Sequence, residues 1–103
     1  MQHTPPANLY PDTIPPIGED FTTLLEHGNI RIVRIVSSED VEPVEYVQEE
    51  DEWVVLIEGE ATLEMDGQSV TLRRGESLLI PAHTPHTVTA TRHGTVWLAV
   101  HIG

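Results

Sequence analysis

The chain has no cysteine, which excludes disulfides, thiolate-bound metal clusters and thiol catalysis at once. Basic residues are scarce too: 5 Lys and Arg stand against 17 Asp and Glu, for a formal net charge of −12. A surface so negative repels phosphate backbones and anionic headgroups, so neither nucleic acid nor a membrane is an expected partner. Long apolar runs are missing as well. The longest, "WVVLI" and "VWLAV", are strand-sized and far short of a membrane span. The opening "MQHTPPANLYPDTIPP" carries neither a basic leader nor an apolar signal core, which makes the cytoplasm the expected location.

What is there amounts to one domain. A chain of 103 residues buries roughly two thirds of its unfolded surface, enough for a compact two-layer fold. Five of the eight prolines (Pro5, Pro6, Pro11, Pro15 and Pro16) fall in the first 20 residues, too many for a helix or a central strand. Residues 1–20 are therefore expected to form an extended arm, ahead of a body over residues 21–103. In that body, short runs of period-two alternation recur between turn signals: "FTTLLE", "IRIVRIV", "EWVVLIE", "ATLEM", "QSVTLR", "SLLI", "HTVTAT" and "TVWLAVHI". Only the tail and "EDFTTLLEH" offer even a weak case for helix. Asp66-Gly67 is the clearest hairpin signal, because this pair tolerates the positive φ values of a type I′ turn. Seven or eight strands with no long helix between them imply an all-β, antiparallel sandwich or barrel.

Eight acids crowd the segment from Glu39 to Glu52, and the last of them opens the strand "EWVVLIE". Most acids of such a cluster meet water. Strand parity nevertheless puts Glu52 on one face with Val54 and Leu56, and Gln48 and Tyr46 on the same face upstream. Glu49, Glu50 and Asp51 precede the strand and are expected at the surface. On a second strand, parity groups His86 with Val88 and Ala90. Polar groups converging on an apolar concavity are the pattern of a small-ligand site.

The stretch "EWVVLIEGEATLEMDG" followed by "RRGESLLIPAHTPHTV" resembles the two sequence motifs of the cupin superfamily. Glu52, six residues and Gly59 match the end of the first motif; Gly75, Pro81 and His86 match the second. The resemblance implies an antiparallel double-sheet jelly-roll barrel, often holding a metal. It also exposes departures. The His-x-His pair of the first motif falls on Tyr46 and Gln48, its leading glycine on Asp40, and the later glycine and asparagine of the second motif on His83 and Ala90. Of four usual ligands, Glu52 and His86 carry over by position and two do not.

These residues can nonetheless be read as a donor set. Carboxylate, imidazole and carboxamide oxygen all suit a borderline divalent ion such as zinc, manganese, iron or nickel. The expected metal set is Gln48, Glu52 and His86, with His101 joining if its face of "TVWLAVHI" looks inward. Tyr46 and Glu52 are the candidates to move a proton in a metal-dependent reaction on a small substrate. The alternative is a metal-free small-ligand or structural cupin, and whether the chain is an enzyme stays open. His83, between Pro81 and Pro85, is assigned to loop geometry, and His3, His27 and His93 are given no role. Apolar residues on both faces of several strands leave a sheet face to cover, so a homodimer is expected.

Overall fold

The computed structural model describes residues 5–103, so His3 and the first four residues of the expected arm lie outside the described residues. Nine strands follow in order: β1 (Glu19–His27), β2 (Ile30–Ser37), β3 (Glu45–Tyr46), β4 (Asp51–Glu58), β5 (Glu60–Met65), β6 (Gln68–Arg73), β7 (Ser77–Ile80), β8 (His86–Thr91) and β9 (Thr95–Ile102). Among the described residues there is no helix. They form a five-stranded sheet, β1-β2-β9-β4-β7, and a four-stranded sheet, β3-β8-β5-β6. Every pairing is antiparallel. The helical reading of "EDFTTLLEH" gives way because this segment pairs with β2 from Glu19↔Ser37 to His27↔Ile30, as the edge strand β1. The strand thus starts two residues before the boundary expected from the prolines.

Local chemistry sets the corners. Asp66 (φ 53°) and Gly67 (φ 75°) join β5 to β6 with both φ values positive, as a type I′ turn demands. Gly59 (φ 89°) is required twice over: its backbone is left-handed, and a Cβ there would run into Thr95 Oγ1. Between the sheets, Val54, Leu56, Ala61, Leu63, Leu72, Ile80, Trp97 and Ala99 form the buried core. Each fully buried Val or Leu contributes about 1.5–3 kcal/mol relative to exposure.

The inner face of the larger sheet is layered. At one end, Glu19, Ser37 and Thr95 are cross-strand neighbours. At the other, Arg31, His101, Glu52 and Ile80 form a row across four strands. Apolar rows that include Ile35, Trp97, Val33, Ala99 and Val54 separate the two. On the outer face, Leu25, Ile32, Val100, Trp53 and Leu79 make a continuous apolar row over all five strands. Leu25, Trp53 and Leu79 in that row are exposed.

Candidate functional site

Alternation along β4 turns Glu52, Val54 and Leu56 inward, leaving them 6%, 2% and 0% exposed. Alternation along β9 settles the face of His101: it lies with Trp97 and Ala99 inside, directly opposite Glu52 in register. From the other sheet, β3 and β8 bring Tyr46 and His86 together as a cross-strand pair, with ring centroids 6.0 Å apart. These side chains, with Gln48, line a cavity of about 310 Å³ walled by Val33, Ile35, Val54, Leu63, Ile80, Val88 and Trp97. That volume is at the small end of the range for ligand pockets, roughly 300–1,000 Å³. Tyr46 and Phe21, both exposed and both on edge strands, line the same cavity.

A directed hydrogen-bond chain fixes the polar end. The Thr84 carbonyl can only accept, so His86 donates through Nδ1 at 2.9 Å. In the neutral ring this leaves the Nε2 lone pair facing inward. The side-chain nitrogen of Gln48 stands 3.3 Å from that Nε2 and 2.6 Å from Glu52 Oε1, with one hydrogen for each acceptor. Glu52 and His86 are themselves 3.8 Å apart, too far for a direct hydrogen bond. Burial pushes the Glu52 carboxyl above its ordinary range; His101 and His86 pull it partly back, Glu50 pushes it up and Arg31 pulls it down. Burial thus favours the protonated form of Glu52, which the Gln48 amide links to the His86 ring.

The donor set expected for a cation, Gln48, Glu52, His86 and His101, is brought to one end of the cavity, where Gln48, Glu52 and His86 are joined by hydrogen bonds. The nitrogen of the Gln48 amide faces both carboxylate and imidazole, and a cation between them would call for the amide oxygen to turn inward instead. His101 turns Nδ1 toward Glu50 Oε1 at 3.0 Å, although this contact is not aligned as a hydrogen bond. Among the described residues, no three His, Asp or Glu side chains gather as metal ligands.

Several residues differ from their expected places. Glu50 is not simply solvated: its Oε1 pairs with Arg31 Nη2 at 2.8 Å and contacts His101, because β2 brings Arg31 into the same row. Asp51 and Glu49 are both exposed, as expected, with Asp51 also accepting from the Ala82 amide at 2.8 Å and so pinning the loop after β7. Ala90 is exposed rather than lining the cavity, since the pairing of β5 with β8 shifts register beside Thr62 and Leu63 and breaks the parity running from His86. His83 takes a positive φ of 63°, and its amide donates to the Gln48 carbonyl at 2.7 Å, so it does shape the loop. Arg31 and Glu19, both on the cavity wall, are not singled out by the sequence pattern.

A family model for the cupin domain matches residues 31–101, which takes in the strands that carry the site. The chain belongs to the cupin family. Its fold is similar to that of a protein from Ralstonia eutropha JMP134 named "putative mannose-6-phosphate isomerase", at 37% identity, TM-score 0.85, with 96% of this chain and 98% of that one covered. An RmlC-like cupin of Shewanella frigidimarina is also similar, at 20% identity and TM-score 0.75, covering 82% of this chain and 76% of that one. A cupin superfamily protein of Desulfitobacterium hafniense aligns at 22% identity and TM-score 0.72, over 82% and 76% of the two chains. Among curated proteins there is no match.

Proposed function

We propose that this cupin binds a small organic molecule in its interior without a resident metal, using Gln48, Glu52 and His86 as its polar recognition group. The observation that carries the reading is the Gln48 amide, which hydrogen-bonds Glu52 and His86 simultaneously. A ligand polar group can take over one of those hydrogen bonds while its apolar body meets Val54, Leu63, Val88 and Trp97. Glu52 and His86 then flank the bound group and are able to exchange a proton with it, with Tyr46 beside the His86 ring.

A phosphorylated sugar, the substrate class that the name of the Ralstonia relative carries, is a poor fit to this interior. Arg31 is the arginine on the cavity wall, and it is already paired with Glu50, while Glu19 and Glu52 both face inward. A dianion would meet more negative charge than positive.

The second reading is a divalent-metal site of Gln48, Glu52, His86 and His101, favoured by the convergence of all four on one cavity. It requires the Gln48 amide to turn its oxygen inward and His101 to leave Glu50. Elemental analysis of protein purified without a histidine tag, followed by calorimetric titration with zinc, manganese and nickel, separates the two. The metal-free reading expects no stoichiometric metal and no saturable heat. Binding that is lost in both Glu52→Gln and His86→Ala establishes the metal reading instead.

A further inference from the structure

The far end of the same cavity carries a second buried polar chain. Trp97 donates its indole N–H to Ser37 Oγ at 3.0 Å, and Ser37 donates its hydroxyl to Glu19 Oε2 at 2.5 Å. Both donors therefore point one way, toward the carboxylate. Ser37 is fully buried and Trp97 is 3% exposed, so neither has water as an alternative partner. Glu19 lies on the cavity wall, and among the described residues no donor reaches its second oxygen, Oε1. Burial pushes its carboxyl above the ordinary range, with the Ser37 hydrogen bond pulling the other way. The carboxylate is held on one oxygen by Ser37, itself oriented by Trp97, and its other oxygen is left to water or to a donor arriving in the cavity.

We propose that Glu19 is a second recognition point in the cavity, accepting a hydrogen bond from an amine or hydroxyl group of the ligand. The inference rests on the small-molecule reading of the cavity and narrows it. Glu19 and the Glu52 group lie at opposite ends of the sheet's inner face, the Ser37–Thr95 row being six residues along β9 from the Glu52–His101 row. At roughly 3.3 Å per residue the two rows are about 20 Å apart along the backbone, a distance that inward-leaning side chains shorten. The favoured ligand therefore has an apolar body and, at the Glu19 end, a donor group, neutral or cationic, and not an anion. A cationic amine at Glu19 restores the ionised carboxylate that burial disfavours.

Four probes sharing one ring and differing in head group test this: benzylamine, benzyl alcohol, benzoate and phenyl phosphate. Each is titrated into ¹⁵N-labelled protein while the Trp97 indole resonance is followed, Trp53→Phe providing its assignment. Benzylamine is expected to bind about tenfold more tightly than benzoate or phenyl phosphate, with benzyl alcohol between. In Glu19→Gln, which keeps an acceptor oxygen and nearly the same volume, the preference for the amine should vanish while benzyl alcohol still binds. A preference that survives Glu19→Gln and disappears in Glu52→Gln overturns the role of Glu19 and leaves the binding reading standing. The same holds if the four probes bind alike. If none of them moves the Trp97 resonance, the small-molecule reading fails and Glu19 fails with it.

Discussion

Gln48 donates its side-chain amide to Glu52 at 2.6 Å, across the short turn that separates β3 from β4. The His83 amide holds the Gln48 carbonyl from the far side, so the donor is anchored at both its backbone and its head. Gln48→Ala removes the donor and strands a buried carboxyl, at a cost of about 1–3 kcal/mol in chemical denaturation. Gln48→His replaces it with an imidazole that can turn a lone pair to a cation. Calorimetry should then detect zinc binding at least about tenfold stronger than in the wild type, a change of roughly 1.4 kcal/mol. Equal heats from the two proteins would mean that Gln48 is not what excludes the ion.

The pH dependence of stability follows from two raised carboxyls. Glu19 and Glu52 are both shifted upward, chiefly by burial. Between the ordinary carboxylate value and the folded-state value the native protein holds the extra protons, so stability falls as pH rises through that window. Unfolding free energy should therefore be greater near the ordinary carboxylate value than at neutrality. Self-repulsion among the many acids slopes the same way, so the informative quantity is the difference between variants. Glu19→Gln and Glu52→Gln should each flatten the profile relative to wild type, whereas Glu49→Gln, an exposed control, should not.

Two glycines of the family motifs separate crowding from backbone strain. Gly59 and Gly75 have similar φ values, 89° and 85°, but a Cβ at Gly59 runs into Thr95 while one at Gly75 meets nothing within 4 Å. Gly75→Ala should cost about 1 kcal/mol, the strain of a left-handed alanine. Gly59→Ala adds a steric clash with the backbone and side chain of a buried residue and should cost about 3 kcal/mol or more. Urea denaturation of the two variants gives the comparison, and equal losses would mean that the Gly59–Thr95 approach relaxes freely.

Much of this architecture is legible from period-two alternation and one turn pair. The strand from Glu52 to Leu56 and the Asp66-Gly67 hairpin need only local rules, which hold because nothing tertiary competes with them. The site is less legible for three distinct reasons. In "IRIVRIV" both faces are apolar with one arginine each, so parity alone does not say whether Arg31 or Arg34 looks inward. Glu19 follows a run of prolines, and only its pairing with Ser37 shows that the strand has already begun. Glu50 sits in a cluster of acids and is set apart by Arg31, 19 residues earlier, and by His101 near the end of the chain. Ala90 fails differently, since an irregularity in the ladder is invisible to any count by twos.

The outer face of the larger sheet supplies the surface for the proposed homodimer. Leu25, Ile32, Val100, Trp53 and Leu79 run across all five strands, and stacking two such faces about a two-fold axis lays apolar row on apolar row about 10 Å apart. Within the row no charge opposes another, which matters for a chain carrying −12. Leu79 is 52% exposed at the edge strand β7, so Leu79→Glu can be introduced without disturbing the core. Sedimentation equilibrium at tens of micromolar should show a dimer for the wild type and a monomer for Leu79→Glu, with unchanged circular dichroism. A wild type that stays monomeric at every salt concentration, or a variant that dimerises as well as the parent, would leave this face without the partner proposed for it.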